Sequence, residues 1–264
     1  MTSQTDTILN VSDLTVRFGG LTAINKVSIN VQKGDFLGII GPNGAGKTTL
    51  FNVITGNQIP NEGVVDFEGS SLIRKDPAQI SHLGISRTFQ NIRIFPRMTV
   101  LENVCLPLHS KPTYGIFTAM LGLPVTKRRD RAVQDEAMGF LRELTIDQYA
   151  AYQAGELSYG LQRRLEIARA LAAKPRLLLL DEPAAGMNNK ECDELGTLLS
   201  SLHIKYGLTI ILIEHHVDVV MDLCNRIYVL NLGEVLTQGS AQEIQSSPEV
   251  IRAYLGERRD KVQS

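Results

Sequence analysis

The sequence predicts an α/β fold built on a mainly parallel sheet, with a helical lobe inserted into it. The continuously apolar run Leu177–Leu180 suits a strand buried on both faces of a parallel sheet, and Leu208–Ile213 reads as a second buried strand. Helical segments alternate with those runs, and strand–helix alternation implies a doubly covered parallel sheet. The middle third, residues 91 to about 164, instead has apolar residues at helical spacing.

The elements follow in order. Val27-Ser-Ile-Asn-Val31 alternates apolar and polar, as a half-buried strand does. Phe36–Ile40 is a short apolar strand that runs straight into a glycine-rich turn, and Lys47–Thr55 reads as a helix closed by Gly56. Gly63–Phe67 is another strand. Asp76-Pro77 is a helix N-cap with proline at the first helical position, and Gly84 ends that segment. Thr99-Val-Leu-Glu102 fits a capping box. Val133, Ala137, Phe140, Leu141 and Leu144 then share one helix face, and prolines and glycines punctuate residues 107 to 124 between these helices. Helices are expected over Tyr159–Ala173 and over Asn189–Tyr206, the second closed by Gly207. The tail carries a capping box, Ser240-Ala-Gln-Glu243, and a second start at Ser247-Pro248 ahead of Val250–Leu255. The division expected is a nucleotide-binding core over 1–90 and 165–239, a helical subdomain over 91–164 and a helical tail over 240–264.

Composition narrows the class. The 264 residues carry 28 acidic and 27 basic side chains, a net charge of −1, and 43% of them are hydrophobic. That hydrophobic content supplies a core and excludes wholesale disorder. A dedicated nucleic-acid binder would carry a basic excess, so none is expected as partner. No run reaches the roughly 18–20 apolar residues of a membrane span. The longest uncharged segment, Pro112–Thr126, is broken by proline and glycine. The opening residues lack the layout of a signal peptide. Cys105, Cys192 and Cys224 show no paired spacing, so neither a disulfide framework nor a zinc site is expected, and a reducing compartment is.

One segment carries explicit chemistry. Gly41, Pro42, Asn43, Gly44, Ala45, Gly46, Lys47 and Thr48 match the phosphate-loop pattern, after a strand and before a helix. The glycines let successive N–H groups point at phosphate oxygens, and the helix adds its positive end. Lys47 is expected to reach the β- and γ-phosphates and the Thr48 hydroxyl to ligate Mg²⁺. A second acidic element ends the Leu177–Leu180 strand: Asp181 is placed to hold Mg²⁺, and Glu182 to polarise the attacking water.

With these motifs the chain resembles the ATP-binding-cassette (ABC) ATPases over nearly its whole length. Leu157-Ser-Tyr-Gly-Leu161 stands where that family has its LSGGQ signature, and Ala185-Gly-Met-Asn188 where a loop crosses the dimer interface. The resemblance implies a P-loop NTPase core with an antiparallel β subdomain and an inserted helical subdomain. It implies that Phe18 stacks on adenine, that Thr49 joins the nucleotide contacts, and that Gln90 senses Mg²⁺ or water and touches the transport partner. It also implies that Ser158 and Gly160 bind the γ-phosphate held by a second subunit, and that His215 is a switch histidine contacting that phosphate. Taken alone, Phe18 reads as an edge-strand core residue, Gln90 as a surface amide and Ser158 as an ordinary helix cap; order and spacing favour the family roles. Tyr159, Leu161 and Asn188 depart from the family pattern.

Within the family, Arg87-Thr-Phe-Gln-Asn91, Thr99-Val-Leu-Glu-Asn103, Asp181-Glu-Pro-Ala-Ala-Gly186, Arg252-Ala-Tyr-Leu-Gly256 and the segment between Leu106 and Val133 resemble importers of branched-chain and other hydrophobic amino acids. Urea and short-chain amide importers carry similar ATPases. The implied cofactors are ATP and Mg²⁺. The implied partners are a second ATPase subunit, copy or paralogue, two integral-membrane permeases and, indirectly, a solute-binding protein. The implied location is the cytoplasmic face of the inner membrane. A ribosome- or DNA-acting cassette would have two cassettes or long coiled-coil inserts. A non-hydrolysing module would not keep Lys47, Asp181, Glu182 and His215 together.

Overall fold

The computed structural model describes residues 6–109 and 124–260, without side-chain detail for 124–129 and 255–260. Most of the uncharged Pro112–Thr126 stretch lies outside the described residues, as does most of the 107–124 linker. The chain forms two compact units, residues 1–87 with 176–264, and residues 88–175.

The first unit holds two sheets. An antiparallel sheet runs β2-β1-β4-β5, from β1 (Thr7–Phe18), β2 (Leu21–Gln32), β4 (Glu62–Phe67) and β5 (Ser70–Ser71). The alternating Val27–Val31 run lies inside β2, whose long hairpin with β1 closes between Phe18 and Leu21. The second sheet is six-stranded, in the order β10-β9-β3-β8-β7-β6. Its strands are β3 (Phe36–Ile40), β6 (Ile85–Arg87), β7 (Leu177–Asp181), β8 (Thr209–Ile213), β9 (Arg226–Asn231) and β10 (Glu234–Gly239). All its pairings are parallel except β9 with β10. Every residue of β3, β7 and β8 is buried, Asp181 and Thr209 included, as in strands covered on both faces.

Helix α1 (Lys47–Ile54) joins the sheets through one core, in which Leu9, Val11 and Val65 meet Leu50, Phe51, Leu37, Leu179 and Ile213. Helices α2 (Pro77–His82), α6 (Asn189–Tyr206), α7 (Val217–Leu223), α8 (Ala241–Ser246) and α9 (Pro248–Asp260) complete this unit. The caps read from sequence form as reciprocal pairs at Asp76 with Gln79 and Ser240 with Glu243. Helix α6 ends at Gly207 with φ 57°, a left-handed turn glycine adopts without strain.

The second unit packs α3 (Val100–His109), α4 (Pro124–Glu143) and α5 (Tyr159–Ala172) together. Helix α5 is continuous across position 164 and lies wholly in this unit. Val133, Ala137, Phe140, Leu141 and Leu144 are all buried, so the helical spacing marks the packed face. The Thr99–Glu102 box closes on both sides: the Thr99 N–H donates to Glu102 Oε2 at 2.7 Å, and the Glu102 N–H to Thr99 Oγ1 at 3.1 Å. The Thr99 backbone N–H and side-chain hydroxyl hold the Glu102 carboxyl below its usual range. A buried Arg163–Glu166 pair at 2.7 Å pins the loop before α3. Arg163 donates to the carbonyls of Phe89 and Gln90, while Glu166 accepts from the N–H groups of Phe89 and Arg93.

Candidate active site

The carboxyl ends of β3, β8 and β7, adjacent in that order, gather the chemistry-bearing residues of the first unit. Open parallel sheets place ligands at that edge. The turn after β3 needs its glycines. Gly41 has φ 152°, and a Cβ there would press onto the Leu230 carbonyl; Gly46 has φ 98°, with the Ala23 carbonyl 2.6 Å from where a Cβ would be. Gly46 is the N-cap of α1 and no side chain caps the helix. Pro42 and Ala45 are buried, Asn43, Gly44 and Thr48 are exposed, and Thr49 is half-buried. The Lys47 side chain folds under the loop and donates to the carbonyls of Gly41 at 2.6 Å and Pro42 at 2.9 Å, leaving the residue 6% exposed.

Asp181 ends β7 with 1% exposure, and Arg87 Nη2 lies 2.7 Å from its Oδ2. Arg87 also donates to Asn52 Oδ1 at 2.8 Å and Thr55 Oγ1 at 3.2 Å, tying α1 to the end of β7. Glu182 has φ 48°, an uncommon backbone for a residue with a side chain. Its N–H donates to the Ile213 carbonyl at 2.8 Å, and its Oε1 lies 2.7 Å from His215 Nε2. Lys47, Asp181, Glu182 and His215 thus share one unit and one sheet edge.

The remaining sequence candidates fall elsewhere. Phe18 ends β1 and is 48% exposed, so it is no core residue. Gln90, Ser158 and Gly160 belong to the second unit. Gln90 and Ser158 are exposed. Ser158 occupies the N-cap of α5 in an extended conformation, but its hydroxyl makes no capping bond, unlike an ordinary cap serine. A Cβ on Gly160 would meet open space, so the chain itself does not demand glycine there. Asn188 caps α6, accepting from the Glu191 N–H at 3.1 Å in a reciprocal box.

Two residues escaped the sequence reading. Arg87 entered only as part of a subgroup pattern, and its buried pairing joins residues far apart in sequence. Glu214 was not singled out. It is a carboxylate directly after a buried strand, the position Glu182 holds after β7, and that parallel was the available signal.

Thr48 and Asp181 suit Mg²⁺, which binds through one or two carboxylates and takes its other oxygens from phosphates and water. Among the described residues no group of three or more His, Cys, Asp or Glu side chains converges as a dedicated metal cage.

A glycine-formed anion loop at the carboxyl edge of a parallel sheet, with paired carboxylates two strands away, defines a P-loop nucleotide-hydrolysing protein. The chain belongs to the ABC transporter family, whose sequence pattern matches residues 24–185, as one of its ATP-binding ATPase subunits. A second pattern, that of the branched-chain amino acid ATP-binding cassette transporters, matches residues 234–260. The chain is 44% identical over 250 residues to the high-affinity branched-chain amino acid transport ATP-binding protein LivG of Salmonella typhimurium, covering 95% of this chain and 98% of LivG. The fold is similar to the ADP conformation of the cassette MJ1267, with TM-score 0.81 and 35% identity over 95% of this chain and 99% of that one. It is also similar to the dimeric cassette MJ0796, with TM-score 0.76 and 28% identity over 89% of this chain and 99% of that one.

No helix among the described residues is long and apolar enough to cross a membrane. A transport ATP-binding subunit of this family implies membrane permease partners and a membrane-associated location.

Proposed function

We propose that this subunit hydrolyses ATP to drive an importer of branched-chain or other hydrophobic amino acids, as a head-to-tail pair with a second cassette subunit. The observation that carries the catalytic part is the Glu182–His215 contact at 2.7 Å, beside the loop that buries Lys47. The phosphate loop binds the triphosphate, with Lys47 as its cation and Phe18 as the exposed aromatic offered to the base. Thr48 and Asp181 would hold Mg²⁺, which supplies charge neutralisation on the phosphate oxygens. Glu182 takes the proton of the attacking water and His215 orients the carboxylate and meets the γ-phosphate. Phosphoryl transfer needs charge stabilisation around the whole phosphoryl group. Ser158, with a hydroxyl unused by its own helix, and Gly160, with open space in front of it, fit the phosphate of a partner's ATP.

The second unit offers a face to the permeases. Gln90 lies exposed, and Phe95 and Tyr152 are half-exposed aromatics of the same unit. The permeases dock at Gln90 and the 92–108 segment. Location at the cytoplasmic face of the inner membrane follows from that docking.

The substrate class rests on similarity to branched-chain transport subunits over 95% of the chain. The test is reconstitution with the two permeases and the solute-binding protein in vesicles. ATP turnover stimulated by leucine, isoleucine or valine, and not by urea, supports the reading. Stimulation by urea or short amides alone contradicts it.

A further inference from the structure

We infer that Glu214, which carries no assigned role, is a positioning residue that holds the His215 turn against the turn after Glu182. The inference rests on the catalytic reading of Glu182 and His215 given above. Glu214 follows the last residue of β8 and is 1% exposed. Its two oxygens divide between two turns. Oε1 accepts the Ala184 N–H at 2.7 Å, from the turn that follows Glu182. Oε2 accepts the N–H of His215 at 3.0 Å and of His216 at 3.4 Å, and lies 3.4 Å from His216 Nδ1.

A buried carboxylate is an acceptor-only group with room for several donors, so one side chain serves both turns at once. Strands β7 and β8 set the same register from behind, because Asp181 pairs with Ile213. The strand ladder fixes where the two turns begin, and Glu214 fixes how far they stand apart. Between these supports lies the 2.7 Å contact of His215 Nε2 with Glu182 Oε1. The Glu182 backbone, at φ 48°, needs surrounding support to persist. Glutamine at 214 would present an amide N–H₂ where one turn needs an acceptor, so one turn would be released.

The test compares Glu214→Gln, Glu214→Asp, His215→Ala and the double variant Glu214→Gln/His215→Ala in the full chain, by ATP turnover and thermal melting. A displacement near 1 Å at a reacting group costs up to about 100-fold. The expected result is a kcat reduced about 10- to 100-fold in Glu214→Gln, with KM for ATP within about threefold. Glu214→Asp, which keeps the charge but shortens the reach, shows the same split and replaces the glutamine form if that form does not fold. Because Glu214 acts through His215, the double variant turns over no more slowly than His215→Ala, as expected for residues working as one unit. An unaltered kcat in folded Glu214→Gln, or losses that multiply in the double variant, overturns the inference while leaving the histidine's role standing. A normal rate in His215→Ala overturns that role and this inference together. Failure of both Glu214 variants to fold shows a purely structural carboxylate and also overturns it.

Discussion

His215 Nε2 stands 2.7 Å from Glu182 Oε1, across the carboxyl ends of two paired strands. The imidazole and the carboxylate therefore orient one another, as the general base proposed above requires. Substituting Glu182→Gln keeps the size and a hydrogen bond to His215 but removes the base. Turnover falls about 10²–10⁴-fold, the usual worth of a positioned general base, while ATP binding is retained. Steady-state turnover with nucleotide-binding titration checks both halves.

Lys47 has a structural duty besides the chemical one proposed for it. Its ammonium satisfies two loop carbonyls from a buried position. Lys47→Ala abolishes turnover by removing the phosphate cation. It also costs about 1–3 kcal/mol by losing charge-assisted hydrogen bonds, which a denaturant melt without nucleotide would register.

Arg87 and Asp181 form a buried ion pair at 2.7 Å, and the guanidinium also lies over the Phe51 ring. Arg87→Met keeps much of the packing on Phe51 but removes the countercharge. Breaking a buried pair from one side typically costs about 3–5 kcal/mol. Arg87→Lys restores the charge but not the fork that reaches Asn52, Thr55 and Asp181 together, so it recovers only part of that loss. Urea midpoints of the three proteins test the order.

All three cysteines are free and buried. Burial raises the Cys224 thiol beyond its ordinary range, and raises Cys105 and Cys192 with help from nearby carboxylates. The thiolate is the reactive form, so at pH 8 Cys224 in the native protein reacts with iodoacetamide at least ~100-fold more slowly than in the unfolded chain. Mass spectrometry of timed quenches measures this.

Much of this arrangement was legible in the sequence, and the limits have physical causes. The phosphate loop, the two leucine- and isoleucine-rich strands and the capping boxes are local patterns, each set by residues within about eight positions. Strand β1 alternates in two short runs, Leu9–Ser12 and Leu14–Phe18, and the bulge between Val11 and Leu14 puts them out of phase, so no single strand pattern spans it. Strand β6 is three residues long and gains meaning only beside β7. Exposure of Phe18 could not be read from its neighbours, since its place at the tip of a hairpin depends on the β1–β2 turn. Arg87 and Glu214 were invisible for the same reason as one another. Their partners are Asp181 and Ala184, brought to them by the sheet and not by the sequence.

In the proposed cycle ATP closes two cassettes across a shared site, with Ser158 and Gly160 of each facing the phosphate loop of the other. The most direct measurement is the mass of the Glu182→Gln protein by light scattering, with and without ATP, alone and mixed with a paralogous cassette. A monomer mass is expected without nucleotide and a pair with ATP, lost again when Ser158→Arg blocks the approach. A Glu182→Gln protein that binds ATP tightly yet stays monomeric in both arrangements would contradict it.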